Sequence, residues 1–288
     1  MTRPPPQTIA LPDPPPSPWG LQSLWDVLHP ELPGLSIEVV DQVESTNQAL
    51  VQRLHTAVRN AQGRELRAQD LMPSLLVAQR QTAGRGRLGR SWMSKPGASL
   101  TFSLVLPLQA ADWSGLSLAV GLSLAQALDP HACHIGLKWP NDLWVMDGPG
   151  RGRKFGGILI EALNAGGRRM AVIGIGLNVQ PLRMSDPVAA IQEFAPDLDA
   201  PAVLSRVAPG LVHGLKAFEQ HGFAARAAEF ARYDLLRGQA LTTTDPQCPQ
   251  GVAEGVAPDG ALCVRQGERL HRIVSGEVSV RPQPTPLG

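Results

Sequence analysis

The chain has 288 residues, of which 43% are hydrophobic, and a formal net charge of +1 at pH 7. This is enough apolar sequence for the core of one sizeable domain plus a smaller one. The near-neutral charge argues against a general nucleic-acid-binding protein, which usually carries a strong basic excess. The three scattered cysteines form no CxxC pair and predict neither a disulfide framework nor a zinc site.

The N-terminal segment is dominated by proline, with Pro-Pro-Pro runs at residues 4–6 and 14–16. Proline lacks the backbone N–H and favours an extended, solvated chain. We therefore expect residues 1–34 to form a disordered tail. No apolar stretch resembles a signal peptide or a membrane span, so we expect a cytoplasmic protein without a membrane partner.

Residues 35–235 mix strand and helix patterns. Apolar runs and alternation predict strands at residues 35–40, 75–78, 100–106, 135–139 and 143–145, and a hairpin of 157–163 with 170–179. Helical spacing predicts helices from about Thr46, over 116–128, and twice between 202 and 233 with a break at His221-Gly222. The polar stretch 60–72 predicts a loop. Together these patterns predict an α+β domain in which helices pack on a mixed or antiparallel sheet.

The pattern of the sequence changes after Gly238. Short strand-like runs at 240–243, 251–256, 261–265, 270–274 and 277–281 alternate with Gly, Pro and Asp. Turn signals at such regular spacing predict a small β-barrel of about five strands. We assign residues 236–282 to this second domain and 283–288 to a tail.

The most informative segment is an arginine–glycine run, Gly84-Arg85-Gly86-Arg87-Leu88-Gly89-Arg90-Ser91-Trp92. Glycine allows sharp bends close to a ligand, and arginine offers a planar fork of donors to carboxylate or phosphate. Similar clusters occur in disordered nucleic-acid-binding tails. This one is short and lies between two predicted strands, which favours a structured loop that holds an anion.

Three other segments carry polar or cationic residues at predicted turns and strand ends: Glu44-Ser45-Thr46-Asn47, Lys138-Trp139-Pro140-Asn141-Asp142, and Lys154-Phe155-Gly156-Gly157 followed across the hairpin by residues 174–179. Each alone has an ordinary explanation as a helix cap, a turn, a solvated lysine or a sheet glycine. Together with the arginines they suit a reaction that joins two anions, because fixed cations reduce repulsion and hold the reactants in line. No Walker loop is present, so any nucleotide is held in another way.

These motifs, in this order, resemble the biotin protein ligases from about Val40 onward. The resemblance implies a biotin/lipoate-ligase catalytic domain, similar to class II aminoacyl-tRNA synthetases, and an SH3-like C-terminal module ending in Gly276-Glu277-Val278 and Arg281. It implies two half-reactions. Biotin's carboxylate first attacks the α-phosphate of ATP, with Mg²⁺ held mainly by the ATP phosphates, to give biotinyl-5′-AMP and pyrophosphate. A lysine of a biotin carboxyl carrier protein, such as that of acetyl-CoA carboxylase, then takes the biotin and AMP leaves.

The resemblance also implies the site residues. Arg87 and Lys154 would be catalytic, acting at the junction of carboxylate and phosphate. Biotin would contact Ser45, Thr46, Asn47, Gln79, Arg85, Gly86, Arg87, Trp92, Lys154, Gly157 and Ile158. ATP or the adenylate would contact Arg87, Arg90, Trp92, Lys138, Asn141, Asp142, Lys154 and Asn178. No metal-ligating residue is implied with certainty, and Asp142 is the one candidate for contact with the Mg²⁺.

Two alternatives remain open: a lipoate or octanoate protein ligase, which shares the fold and the adenylate chemistry, and a non-catalytic biotin-sensing module. The arginine–glycine loop and the Lys-Trp-Pro-Asn-Asp form favour the biotin branch. Bifunctional members of the family carry an N-terminal DNA-binding domain. Only about 35 proline-dominated residues precede the catalytic region, so we expect no nucleic-acid partner. The sequence leaves monomer and homodimer open.

Overall fold

The computed structural model of the chain describes residues 19–61, 66–182, 187–274 and 280–282. Among these ranges, no helix is both long and apolar enough to span a membrane. The expected tail segments 1–18 and 283–288, and residues 276–278 of the C-terminal motif, lie outside the described residues.

In the part of the larger domain that the structure describes there are five α-helices and seven strands. The helices are α1 (Leu21–Leu28), α2 (Thr46–Ala61), α3 (Leu116–Leu128), α4 (Ala200–His221) and α5 (Ala227–Phe230). The strands are β1 (Ser36–Val43), β2 (Ser74–Gln81), β3 (Ser99–Pro107), β4 (Ile135–Lys138), β5 (Asp142–Gly148), β6 (Arg151–Ala165) and β7 (Arg168–Asn178).

The seven strands form one sheet in the order β1-β2-β3-β7-β6-β5-β4. Only β1 and β2 pair in parallel, and every other neighbouring pair is antiparallel. The predicted hairpin is confirmed as β6 and β7, which pair from Gly156↔Leu177 to Ala165↔Arg168. The predicted mixed sheet of an α+β domain is therefore confirmed.

The sheet has a hydrophobic core on each face. Along β3, Leu104 packs into the larger core with α1, α3 and α4, whereas Val105 packs into the smaller core under α2. The same alternation separates Ile173 from Val172 on β7. It follows from the period of two along a strand, and it explains why both faces of these strands are buried along most of their length.

The N-terminal prediction was wrong for part of the segment. Residues 21–28 form α1, and Leu24 and Leu28 are buried at 3% and 2% exposure in the larger core. Their i, i+4 spacing places both on one helix face. Burial of each leucine contributes about 1.5–3 kcal/mol. This gain offsets the conformational entropy that is lost when the helix becomes ordered, a cost that the proline-rich composition alone had led us to expect would dominate.

The polar stretch 60–72 is also more ordered than predicted, because α2 continues to Ala61 and a short 3-10 turn covers Ala68–Leu71. Leu71 is 5% exposed and belongs to the smaller core, which gives this turn an apolar anchor. The predicted break after α4 is confirmed at Gly222, where φ is 66°.

The C-terminal domain is a five-stranded antiparallel sheet in the order β11-β10-β9-β8-β12. Its strands are β8 (Ala240–Thr243), β9 (Gln250–Val256), β10 (Leu262–Gln266), β11 (Arg269–Ile273) and β12 (Val280–Pro282). It packs directly on the larger domain: the buried indole Nε1 of Trp139 donates to the carbonyl of Gly260 at 3.0 Å. This contact ties the small domain to the turn that joins β4 and β5.

Candidate active site

The arginine–glycine run forms a closed, structured loop. The amide of Gly86 donates to the carbonyl of Arg90 at 2.7 Å, and the amide of Trp92 donates to the carbonyl of Gly84 at 2.8 Å. Arg85 and Ser91 form an isolated antiparallel bridge across it. These contacts direct the loop over a cavity of about 190 Å³. The expectation of an ordered ligand loop rather than a solvated linker is thus supported by its hydrogen bonds.

The start of α2 supplies the polar end of the cavity. Ser45, Thr46 and Asn47 are 3–4% exposed. The Thr46 amide donates to Gln81 Oε1 at 2.8 Å, and Asn47 Nδ2 donates to Glu161 Oε2 at 2.7 Å. Burial of a polar group costs free energy unless the group is hydrogen-bonded. These hydrogen bonds therefore allow the start of α2 to present polar side chains to the cavity below the loop.

Two glycines of β7 make room for this arrangement. A Cβ atom at Gly174 would lie 2.3 Å from Asn47 Oδ1, and one at Gly176 would lie 2.4 Å from the Trp92 ring. Both distances are too short for a Cβ atom unless the facing side chain moves. These glycines therefore let the Asn47 amide and the Trp92 indole lie against the sheet, where both line the cavity.

The turn between β4 and β5 and the adjoining part of β6 form the charged end. Asn141 Nδ2 donates to the carbonyl of Ile158 at 2.9 Å, and Arg87 Nη1 donates to Asn141 Oδ1 at 3.1 Å. Lys154 Nζ lies 2.7 Å from Asp142 Oδ1 and 5.6 Å from the centre of the Trp92 ring. The loop, the turn and the strand thus converge on one place.

Positive charge dominates the cavity lining. Among the described residues, six cationic side chains line it and one carboxylate, that of Asp142, offsets them: Arg85, Arg87, Arg90, Lys138, Lys154 and Arg281. Burial lowers the pKa of the Arg87 guanidinium and of the Lys138 ammonium from their ordinary values, while Asp142 acts in the opposite direction. Cations that are partly stripped of water and only partly balanced bind anions strongly.

Most of the expected site residues lie together in this cavity. It is lined by Ser45, Thr46, Asn47, Arg85, Gly86, Arg87, Arg90, Trp92, Lys138, Asn141, Asp142, Lys154, Gly157 and Ile158. These residues come from four separate parts of the chain, so only the tertiary structure brings them within reach of one ligand.

Gln79 does not line the cavity. Its side chain donates to Asp41 Oδ1 at 2.8 Å, whereas Gln81 lines the cavity and accepts from Thr46. Side chains two residues apart point to the same face of a strand, so the alternation along a strand cannot distinguish residue 79 from residue 81. The two positions nevertheless lie about 6.6 Å apart along the strand. Of the two glutamines, Gln81 rather than the expected Gln79 therefore lines the cavity.

Asn178 is also placed apart from the cavity lining. It is 4% exposed, and its Nδ2 donates to the carbonyl of Ala189 at 3.1 Å. Its amide thus ties the end of β7 to a following segment, residues 187–193. Asn178 is not among the residues that line the cavity, and its contact with the nucleotide stays a prediction.

Of the described residues that line the cavity, eleven were not among the expected site residues, and these include Gly174, Gly176, Val280 and Arg281. The glycines belong to a motif that matched the family pattern, and their spacing of two was the signal that could have assigned them to the site. Arg281 comes from β12, so the C-terminal domain contributes a charge to the cavity. Strand periodicity contains no information about such a contact between domains.

The described residues offer little for a protein-held metal. They include no group of three or more His, Cys, Asp or Glu side chains arranged to hold an ion. The carboxylate of Asp142 is already paired with Lys154. Magnesium usually keeps several waters and binds through one or two carboxylates together with substrate phosphates, so Asp142 fits as an outer contact of a nucleotide-bound ion.

Sequence and structure comparisons agree on the relatives of this chain. Residues 39–178 match the Biotin/lipoate A/B protein ligase family, and residues 240–281 match the Biotin protein ligase C terminal domain. The bifunctional ligase/repressor BirA of Salmonella typhimurium is 32% identical over 89% of this chain and 78% of its own length. The biotin–[acetyl-CoA-carboxylase] ligase of Mycobacterium tuberculosis is 30% identical over 84% of this chain and 88% of its length.

Among solved structures, the biotin protein ligase from Aquifex aeolicus in complex with biotin and ATP is similar with a TM-score of 0.68 and 27% identity. The match covers 86% of this chain and 99% of that one. It extends over both domains, and the family matches include the arginine–glycine loop, the β4–β5 turn and the strand that carries Lys154. The chain belongs to the biotin protein ligase family.

Proposed function

We propose that this protein is an ATP-dependent biotin protein ligase. The observation that carries the proposal is the cavity, which six cationic side chains and a single carboxylate line among the described residues, with buried polar side chains at the start of α2. A small molecule with a polar head and a carboxylate tail matches this polarity. The names of the relatives support the same substrates, biotin and ATP.

In the proposed first half-reaction, a biotin carboxylate oxygen attacks the α-phosphorus of ATP. A new P–O bond forms, the bond to the bridging oxygen breaks, and pyrophosphate leaves. Arg87 and Lys154 would lie on either side of the two anions and lower their repulsion as they approach. Ser45, Thr46 and Gln81 would hold the ureido ring, which fixes the carboxylate in line with the phosphate.

In the proposed second half-reaction, the ε-amine of a carrier-protein lysine attacks the acyl carbon of biotinyl-5′-AMP. An amide forms, the acyl C–O bond breaks, AMP leaves, and the amine gives up a proton. Until then the closed arginine–glycine loop would keep the reactive anhydride from water, since Arg87 can pair with its phosphate. We propose the carrier domain of acetyl-CoA carboxylase as the acceptor, in line with the names of two relatives.

We also propose that Mg²⁺ arrives with the nucleotide, held mainly by its phosphates, and that the protein acts in the cytoplasm on proteins and small molecules rather than on DNA. Magnesium neutralises phosphate charge and so adds to the work of the cationic side chains. Light scattering with and without biotin and ATP would decide between a monomer and a homodimer.

The decisive experiment is ATP–pyrophosphate exchange with biotin, with lipoate and without either acid. Exchange that depends on biotin, followed by biotin transfer to a carrier domain, is the expected outcome. Exchange only with lipoate would identify a lipoate ligase instead. Biotin binding without exchange in the presence of ATP and Mg²⁺ would leave a non-catalytic biotin-sensing module.

A further inference from the structure

Lys154 lies on the part of β6 that no longer pairs with β7. On one side it pairs with Trp144 of β5, next to a register shift between Leu143 and Trp144. On the other side, β7 pairs with β6 only as far as Gly156↔Leu177. A register shift disrupts the ladder locally and re-aims side chains. The backbone at Lys154 therefore needs support other than β7.

Residues 187–193 provide that support. Val188 forms an isolated parallel bridge with Lys154, and the amide of Ala189 donates to the carbonyl of Lys154 at 2.9 Å. This segment continues the sheet beside Lys154 after β7 has ended. A short 3-10 turn, Ile191–Glu193, closes it, with the amide of Ala190 donating to Glu193 Oε1 at 2.9 Å.

The side chain of Arg153 fastens the segment to the sheet. On one side its Nε and Nη2 donate to the two carboxylate oxygens of Asp147 on β5, both at 2.9 Å. On the other side its Nη2 and Nη1 donate to the carboxylate of Glu193 at 2.7 and 3.2 Å, and Nη1 also reaches the carbonyl of Val188 at 3.4 Å. A guanidinium has five N–H donors, and these contacts occupy all of them.

The guanidinium therefore spans three neighbouring pieces of backbone: β5, β6 and the segment 187–193. A lysine could not do this, since it presents a point charge rather than a planar fork. None of the three side chains lines the cavity. An effect of Arg153 on the reaction therefore does not come from contact with the reactants, and the backbone pairing between the segment and Lys154 links Arg153 to the cavity.

We infer that Arg153 is a positioning residue for adenylate formation: by clamping residues 187–193 between Asp147 and Glu193, it holds the backbone from which Lys154 reaches the reacting anions. This inference rests on the proposed function. A misplacement of about 1 Å caused by a change outside the chemistry can cost about 100-fold in rate. Loss of the clamp should accordingly slow adenylation by about 10- to 100-fold.

The test is single-turnover formation of biotinyl-AMP by the full chain at saturating ATP and biotin, with biotin affinity and thermal midpoint measured in parallel. The variant is Arg153→Met, which keeps the length of the side chain and removes the fork. The matched control is Arg265→Met, since Arg265 also makes a two-pronged pair, with Glu254, but on the C-terminal sheet. Arg153→Lys tests partial rescue.

We expect Arg153→Met to slow adenylation about 10- to 100-fold with biotin affinity changed less than about threefold, Arg265→Met to change neither, and Arg153→Lys to fall between. The inference is overturned if Arg153→Met slows adenylation no more than Arg265→Met. It is also overturned if rate, biotin affinity and thermal midpoint all fall together, which indicates general loss of structure. A wild-type chain without adenylation would instead reject the proposed function itself.

Discussion

Replacement of Lys154 by methionine separates a catalytic role from a structural one. The side chain is 34% exposed, and Nζ lies 2.7 Å from Asp142 Oδ1. An ammonium about 4 Å from a phosphate oxygen interacts by about 4 kcal/mol at an effective dielectric constant of about 20. Only the part of this interaction energy that increases in the transition state affects the rate. Removal of one such donor from an active site typically lowers the rate by about 10²- to 10³-fold.

The expected structural cost of the same change is small. Partly exposed ion pairs contribute about 0–1 kcal/mol to stability. Asp142 also retains an electrostatic interaction with Lys138 after the substitution. Lys154→Met should therefore slow single-turnover adenylate formation by about 10²- to 10³-fold while the free energy of unfolding changes by less than about 1 kcal/mol.

The assay follows biotinyl-AMP after rapid mixing with ATP and biotin, and chemical denaturation gives the free energy of unfolding. Lys216→Met is a suitable control, because Lys216 forms an ion pair of similar length, 2.6 Å, with Glu31 on a remote surface. The reasoning would be refuted if Lys154→Met lost activity only in proportion to lost stability, or if it adenylated biotin at the rate of the control variant.

Three further predictions address the loop, the sheet and the domain junction. Arg87→Gly should release biotinyl-AMP faster and label unrelated lysines, because the loop would lose the proposed contact of Arg87 with the phosphate; unchanged dissociation of the adenylate, measured by filter binding, would contradict this role. Gly176→Ala should weaken biotin binding at least about 10-fold in calorimetry, since a methyl group 2.4 Å from the Trp92 ring displaces the indole, whereas Gly210→Ala, with 3.6 Å of clearance, should not. Burial raises the pKa of Asp234 to about 6, and one of its carboxylate oxygens is buried without a hydrogen-bond partner. A carboxyl whose pKa is raised by folding binds its proton more tightly in the folded state, so stability falls as pH rises from about 4 to about 6 and does not return above that. Asp234→Asn should thus raise the thermal midpoint at pH 8 more than at pH 4, and an equal change at both would argue against a buried charge.

Local patterns along the chain predicted most of the elements, and the family resemblance of its motifs indicated most of the expected residues that line the cavity. Helix α3 and strand β8 lie at the positions that periodicity predicted, and the break after α4 falls at the predicted glycine. These features depend on residues close in sequence: side-chain spacing and turn chemistry act over a few positions. The motifs around Arg87 and Lys154 are equally local, so their chemistry could be inferred without coordinates.

Contacts between distant residues were decided by the tertiary structure alone. Gln81 rather than Gln79 contacts the start of α2. Both side chains point to the same face of β2, so the position along the strand decides which of them reaches Thr46. Helix α1 is ordered since the larger core receives its leucines. The Arg153 clamp joins residues 147 and 193, which no sequence period relates. Such contacts arise when the chain closes on itself, and their free energy depends on partners that a local pattern does not contain.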